Sequence, residues 1–183
     1  MYLTEEIILI AELKDIKTKE LAFRKLITQY KERLYWHIRK IVISHDDTDD
    51  VLQNTFIKIF KNIDNFKADS KLYSWMYRIA TNEAITFINK RAKENKVDIA
   101  DYQQQLTSNL ESDDWFSGDE IQLILQKAIA TLPQKQQLVF NMKYFDEMKY
   151  QQISDILETS VGGLKASYHH AVKKIEAFIK NYN

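Results

Sequence analysis

Residues 66–96, FKADSKLYSWMYRIATNEAITFINKRAKENK, decide how this chain reads. From about 71 to 91, Leu72, Trp75, Met76, Ile79, Ala80, Glu83 and Phe87 recur at three- and four-residue steps, near one face of a long helix. Glu83 is the polar member of that stripe. The other positions carry Tyr73, Tyr77, Arg78, Asn82, Lys90 and Arg91, so aromatic rings alternate with guanidinium, amide and ammonium groups beside a basic tail. That composition suits unpaired bases. Stacking a base on a ring is worth roughly 1 to 3 kcal/mol whatever the base, and an amide reads a Watson–Crick edge once the base has left its stack. Trp75 and at least one of the tyrosines serve equally well as ordinary core.

Upstream, residues 44–66, SHDDTDDVLQNTFIKIFKNIDNF, predict a helix over about 48–63. Asp46, Asp47 and Thr48 are its capping candidates, and Val51, Leu52, Thr55, Phe56, Ile59, Phe60 and Ile63 its buried stripe. The opposite face offers Asp50, Gln53, Asn54, Ile57, Lys58 and Lys61, an apolar side chain among hydrogen-bonding ones, as a docking surface would. The aspartates before it lack the alternation and the glycine of a calcium loop, and a helix start accounts for them. Residues 19–44 predict a longer amphipathic helix with Phe23, Leu26, Ile27, Tyr30, Leu34, Ile38, Ile41 and Val42 inward. Arg24, Lys25, Lys31, Arg33, Arg39 and Lys40 make its basic face. A shorter helix precedes it, with Thr4 as N-cap and Glu5 and Glu6 in the first turn, where acids favour the helix dipole.

Downstream the charge changes sign. From Lys71 to Lys96 there are six basic residues and two acidic ones; from Asp98 to Glu120 there are seven acidic residues and no basic one. Residues 98–118, DIADYQQQLTSNLESDDWFSG, keep no sustained helical period and read as a linker whose ends fray into short helices. It either merely connects, or uses its charge to keep off DNA or to occupy a nucleic-acid channel. Beyond it, Ile121, Ile124, Leu125, Ala128 and Leu132 predict a helix that stops before Pro133, which opens the next one, carrying Leu138, Val139, Met142 and Phe145. Two more follow, from Lys149 to Leu157 and from Val161 to Lys180. The break Glu158, Thr159, Ser160 has the length of a helix-turn-helix connection, with Ser160 as N-cap of the second helix. Gly162 and Gly163 in its first turn let backbone amides approach a phosphate. The outward face, Lys165, Ala166, Ser167, His169, His170, Lys173 and Lys174, is small or basic and fits a major groove, although tight helix pairs also occur in bundles that bind nothing.

Composition limits the alternatives. The chain has 183 residues, 45% apolar and 28% charged, with 26 basic against 26 acidic residues, which is globular and argues against a free-standing, charge-driven nucleic-acid binder. With 3 glycines, 1 proline and no cysteine, it reads as all-α, without disulfides or thiolate metal sites. No apolar run approaches the roughly 18 residues of a membrane span and no signal-peptide pattern appears, so a cytoplasmic location is expected. No spacing suggests a catalytic triad or a phosphate loop, and adjacent His169 and His170 point in two directions and cannot chelate one ion. Neither an enzyme, nor a metal or other cofactor, nor a small-molecule substrate is expected.

Taken together, DDTDDVLQNTFIKIFKNIDNF (46–66), the string WMYRIATN (75–82), the Leu-Pro before the last three helices and the turn SVGGLK (160–165) are specific in combination. In that order they resemble the extracytoplasmic-function class of bacterial RNA polymerase sigma factors of the sigma-70 family. The resemblance implies two small helical domains joined by an acidic linker: residues 1–95 binding core polymerase and melting the minus-ten element, 96–118 as linker, and 119–183 as a four-helix domain reading the minus-thirty-five element. It implies that Asp50, Gln53 and Asn54 face the polymerase, Asn54 standing where relatives often have glutamate. It further implies a base pocket from the loop Phe66 to Tyr73, Lys71 included, with Ile79 and Asn82. Tyr77, Arg78, Lys90 and Arg91 would lie along the melted strand, and Ser160, Gly162, Gly163, Lys165, Ser167, His169, His170 and Lys173 in the minus-thirty-five groove. Many relatives carry arginines at Ser167, His170 and Val172, so bidentate guanine reading is absent and weak, salt-sensitive contact is expected. An inhibitory anti-sigma partner, often membrane-bound in this class, is a further implication. The competing reading is a stand-alone helix-turn-helix regulator that holds duplex operator DNA without polymerase.

Overall fold

The computed structural model describes residues 2–67, 70–108 and 120–182, with side chains from residue 5 onward. All regular structure among them is helical, as expected. The elements are α1 (Tyr2–Lys14), α2 (Lys19–Val42), α3 (His45–Asn62), a 3-10 turn (Ile63–Asn65), α4 (Leu72–Glu94), α5 (Ile99–Ser108), α6 (Glu120–Ala130), α7 (Gln134–Tyr144), α8 (Tyr150–Leu157) and α9 (Val161–Lys180). The chain forms two compact units, Met1–Ile85 and Thr86–Asn183, the division falling inside α4.

In the first unit α2 packs against α1 and α3. Leu26, Leu34, Ile38, Ile41, Ile59, Ile63, Leu72 and Met76 are sealed from solvent, and each such side chain stabilises the fold by roughly 1.5–3 kcal/mol relative to exposure. Edge-to-face contacts of Phe23 with Phe56 and Phe60 close one side of the α2–α3 contact. The two helices are joined by a three-residue turn. Ile43 takes φ 69°, and the Ser44 amide donates to the Val42 carbonyl at 2.9 Å.

Some helix boundaries and faces differ from the sequence expectation. Helix α1 begins at Tyr2, so Thr4 lies within it rather than at its N-cap position, and Glu6 reaches across the fold, accepting the Leu72 amide at 2.8 Å. Ser44, rather than Asp46, Asp47 or Thr48, caps α3: its Oγ accepts the Asp47 amide at 3.4 Å, while Thr48 Oγ1 donates back to the Ser44 carbonyl. Arg39 is buried, because the end of α2 is wrapped on more than one side, with His37, Ile38, Ile41 and Val42 buried around it. One-face periodicity cannot register that.

In the second unit Ala128, Ile129, Leu132, Phe140, Ala171 and Ile175 form the core, extended by Leu125, Phe145, Tyr168, Val172 and Phe178. Helix α9 lies against α6, α7 and α8. Residues 99–108 differ from the irregular reading: they form α5, packed on α6, with Tyr102, Gln103 and Thr107 buried. Two of these three buried side chains are polar, so the apolar period, Ile99, Tyr102 and Leu106, is short. Gln103 Nε2 donates to Gln137 Oε1 of α7 at 3.0 Å, and Gln137 Nε2 to the Ile129 carbonyl at 3.4 Å. The rest of the proposed linker, 109–118, lies outside the described residues. Ile121, expected inward, is 80% exposed, since the buried part of α6 is its far end, Ala128–Ala130.

This buried amide pair should matter to stability. Gln103→Ala strands the Gln137 oxygen and should lower the unfolding free energy by about 1–3 kcal/mol, whereas Ile121→Ala should change it by less than about 0.5 kcal/mol. Urea unfolding followed by circular dichroism separates the two, and equal effects would contradict the buried position of α5.

Candidate nucleic-acid interface

Three surfaces carry the residues singled out from the sequence. On α3, Asp50, Gln53, Asn54, Ile57, Lys58 and Lys61 are all exposed, as the amphipathic reading required, Ile57 at 44%. Asp50, Gln53, Asn54 and Ile57 follow i, i+3, i+4, i+7 spacing, so they form one stripe. Its orientation is set by the burial of Val51, Leu52, Thr55 and Ile59 beneath it. Lys58 is ion-paired to Glu83 of α4 at 2.5 Å, which gives that polar residue of the α4 stripe its partner.

On α4 the rotation differs from expectation. Tyr77 is only 2% exposed, its ring 4.8 Å from that of buried His37, and next to it Thr81 Oγ1 meets His37 Nε2 at 2.8 Å. The Thr81 hydroxyl also donates to the Tyr77 carbonyl at 2.7 Å, tying the three residues together. Tyr77 is thus core and not a stacking platform for DNA. Tyr73, 4.2 Å from the Tyr77 ring, stays partly exposed. Arg78 and Ile79 are half-buried and Asn82 is exposed, so these three share one face within a turn. Lys90 and Arg91 lie further along the helix, both within reach of Glu94, at 3.8 and 3.6 Å, and Arg91 also covers the Phe87 ring. Thr86 and Asn89, exposed polar positions between Asn82 and Lys90, were missed by sequence reasoning because neither is charged or aromatic.

The loop before α4 needs a second correction. Phe66 is 3% exposed and packs on Trp75 at 5.2 Å, so its ring is a support and not a contact for DNA. Trp75 in turn is only half-buried. Lys67 and Lys71 are exposed, and Lys67 belongs with the loop's basic residues although it was not singled out. Ala68 and Asp69 lie outside the described residues.

On α9, Gly162, Lys165, Ala166, His169, His170, Lys173 and Lys174 are exposed and Ser167 partly so. Ser160 caps the helix as expected, its Oγ accepting the Gly163 amide at 3.2 Å. That amide is therefore already engaged, which removes Gly163 as a phosphate donor. The two glycines differ in surroundings too: a Cβ at Gly162 would meet nothing within 4 Å, while one at Gly163 would lie 3.3 Å from Ser160 Oγ. In the turn before α9, Glu158 takes the left-handed conformation at φ 52°, ψ 40° that lets the chain reverse. Lys143 and Lys165 both lie over the Tyr150 ring, at 5.4 and 6.0 Å, so the basic surface of α9 extends to α7 and α8. Burial, then the neighbouring Tyr168, raises the Tyr150 phenol above its ordinary value. Among the described residues no group of three or more His, Asp and Glu is placed to hold a metal ion.

Comparison with known proteins agrees with this geometry. Residues 26–94 match the Sigma-70 region 2 family and residues 122–175 match Sigma-70, region 4. The chain is 30% identical over 156 residues to the ECF RNA polymerase sigma factor SigW of Bacillus subtilis, covering 81% of this chain and 83% of SigW. It is 26% identical over 168 residues to the ECF RNA polymerase sigma-E factor of Escherichia coli K12, covering 87% of each. The fold is similar to that of CnrH, solved with the cytosolic domain of CnrY, at a TM-score of 0.69 and 19% identity over 96% of this chain and 97% of that one. It is also similar to the sigma factor RpoE of Bartonella quintana, solved with the anti-sigma factor NepR, at a TM-score of 0.65 and 18% identity, covering 88% and 98%. The chain belongs to the extracytoplasmic-function class of the sigma-70 family of RNA polymerase sigma factors.

Proposed function

We propose that this sigma factor, in directing promoter-specific transcription initiation, docks core RNA polymerase through the α3 stripe, opens the minus-ten element on α4 and reads the minus-thirty-five element with α9. One observation carries the reading furthest: with Tyr77 and Thr81 locked inward, Asn82 is exposed beside Arg78 and Ile79, an amide next to a cation and an apolar wall. That combination accepts an extruded base. Asp50, Gln53 and Asn54 supply hydrogen bonds to polymerase around Ile57. Lys71, Tyr73, Lys90 and Arg91 follow the melted strand. Ser160, Gly162, Lys165, Ser167, His169, His170 and Lys173 meet the duplex. The first domain spans residues 1–95 and the second 119–183, with 96–118 between them.

The protein's own side chains perform no covalent chemistry and need no cofactor; bond formation belongs to the polymerase. It acts in the cytoplasm, and among the described residues no helix is long and apolar enough to cross a membrane. CnrH was solved with the cytosolic domain of CnrY and Bartonella RpoE with the anti-sigma factor NepR, and we extend an inhibitory anti-sigma partner to this chain. Where such a partner is membrane-anchored, it holds the sigma factor there.

Run-off transcription with purified bacterial core polymerase on a genomic promoter library tests the reading. Starts that share paired upstream elements and vanish without the protein are expected. Tight binding to duplex operator without core would instead favour a stand-alone regulator. Asn82→Ala should slow open-complex formation on the order of tenfold, the loss of one amide reading about 1–3 kcal/mol, with core binding intact; an unchanged opening rate removes Asn82 from the pocket. Asp50→Ala with Gln53→Ala should weaken competition for core polymerase. Gly162→Ala has room for its methyl group, so thermal melting should not fall, yet promoters with a good minus-thirty-five element should be used less. Full use of those promoters would show that the backbone there makes no close approach.

A further inference from the structure

The loop that precedes α4 is held by the first helix of the chain. Glu6 accepts the amide of Leu72, the first residue of α4, at 2.8 Å, and the Lys14 ammonium donates to the Phe66 carbonyl at the other end of the loop. The two side chains are about 12 Å apart along α1 at 1.5 Å per residue. Helix α4 has no acidic residue in its own first turn, so the carboxylate that its amino end calls for comes from 66 positions upstream. Lys19, at the start of α2, adds a third tie by pairing with Asp64 at 2.7 Å, just ahead of Phe66. Glu6 also lies near Tyr30 of α2, whose phenol is raised first by burial and then by this carboxylate, so the acid is seated between two elements.

We propose that Glu6 and Lys14 are positioning residues that fix the two ends of the loop before α4, at Phe66 and Leu72, from behind and so determine which minus-ten base the pocket accepts. The proposal rests on the reading of this loop as the base pocket. Neither residue needs to touch DNA. Glu6 fixes where α4 begins, and with it the register of Tyr73 and Asn82. Lys14 fixes the backbone at Phe66, whose ring supports Trp75. A base preference expressed by Lys67 and Lys71 is thereby governed by a helix that carries none of the contacts.

The test uses the full chain with core polymerase and a promoter set randomised at the minus-ten element. Glu6→Ala and Lys14→Ala should each change the ranking of bases, lowering discrimination on the order of tenfold, while competition for core polymerase stays normal. Glu6→Gln, which keeps an accepting oxygen, should restore most of the ranking. Lys25→Ala, which removes the exposed Lys25–Glu12 pair between α1 and α2, should leave the ranking unchanged. In a Trp36→Phe, Trp115→Phe background the remaining Trp75 reports the loop, and its emission should shift in Glu6→Ala and Lys14→Ala. If Glu6→Ala unfolds the protein, Lys14→Ala, a change at an exposed helix end, still decides. Equal loss on every promoter with an unaltered ranking overturns the proposal. If Lys67→Ala and Lys71→Ala also leave the ranking untouched, the pocket reading fails with it, and the silence of the loop variants themselves tells the two failures apart.

Discussion

The rotation of α4 about its own axis is the constraint on which the functional surface of the first unit depends. An α-helix turns as a rigid body by 3.6 residues per turn, so burying any one position dictates which others face outward. Here the position is set by a polar lock: the Tyr77 ring against His37, and His37 hydrogen-bonded to Thr81, all three nearly sealed from solvent. A buried imidazole and hydroxyl are costly unless paired, so rotating α4 by one residue would strand both. With Tyr77 and Thr81 inside, Arg78, Ile79 and Asn82 come outside. The Lys58–Glu83 pair then sits at the α3–α4 seam, next to the stripe assigned to polymerase.

The second unit solves a different problem. Helix α9, to which we assign the duplex contact, leaves one face exposed and is anchored along the other by α6, α7 and α8. Its first turn is finished by Ser160, whose hydroxyl satisfies an amide that would otherwise be free to bind phosphate. That leaves Gly162 as the open backbone position and makes Lys165, His169 and Lys173 the chemical content of the face. With equal numbers of basic and acidic residues in the chain, its DNA affinity has to be local. A subunit delivered to promoters by a polymerase needs no more than that.

Much of this was legible in the linear pattern. The long apolar periods gave α2, α3, α6 and α9 to within a few residues, and the exposed stripe of α3 followed from the burial of its opposite face. The helix-turn-helix connection and its serine cap were readable because capping is a local event, settled within three residues. The misreadings share a cause. Arg39 was assigned to solvent by residue type and Phe66 and Tyr77 to DNA by residue type or resemblance, yet all three are buried by tertiary packing. Helix α5, at one end of a segment expected only to fray into short helices, was underestimated because two of its three buried side chains, Gln103 and Thr107, are polar.

The sequence by itself therefore determined the helical class, the order of the elements, the amphipathic face of α3 and the serine cap of α9, since all of these follow from residue spacing and from backbone hydrogen bonding within a few positions. Only the tertiary structure decided the rotation of α4, the burial of Phe66 and Tyr77, and the tie from Glu6 to Leu72. The rotation of α4 and the tie depend on pairings between residues 44 and 66 positions apart. A helical period records that a face is buried, but the chemistry of the partner across the contact lies in another segment and leaves no mark on that period.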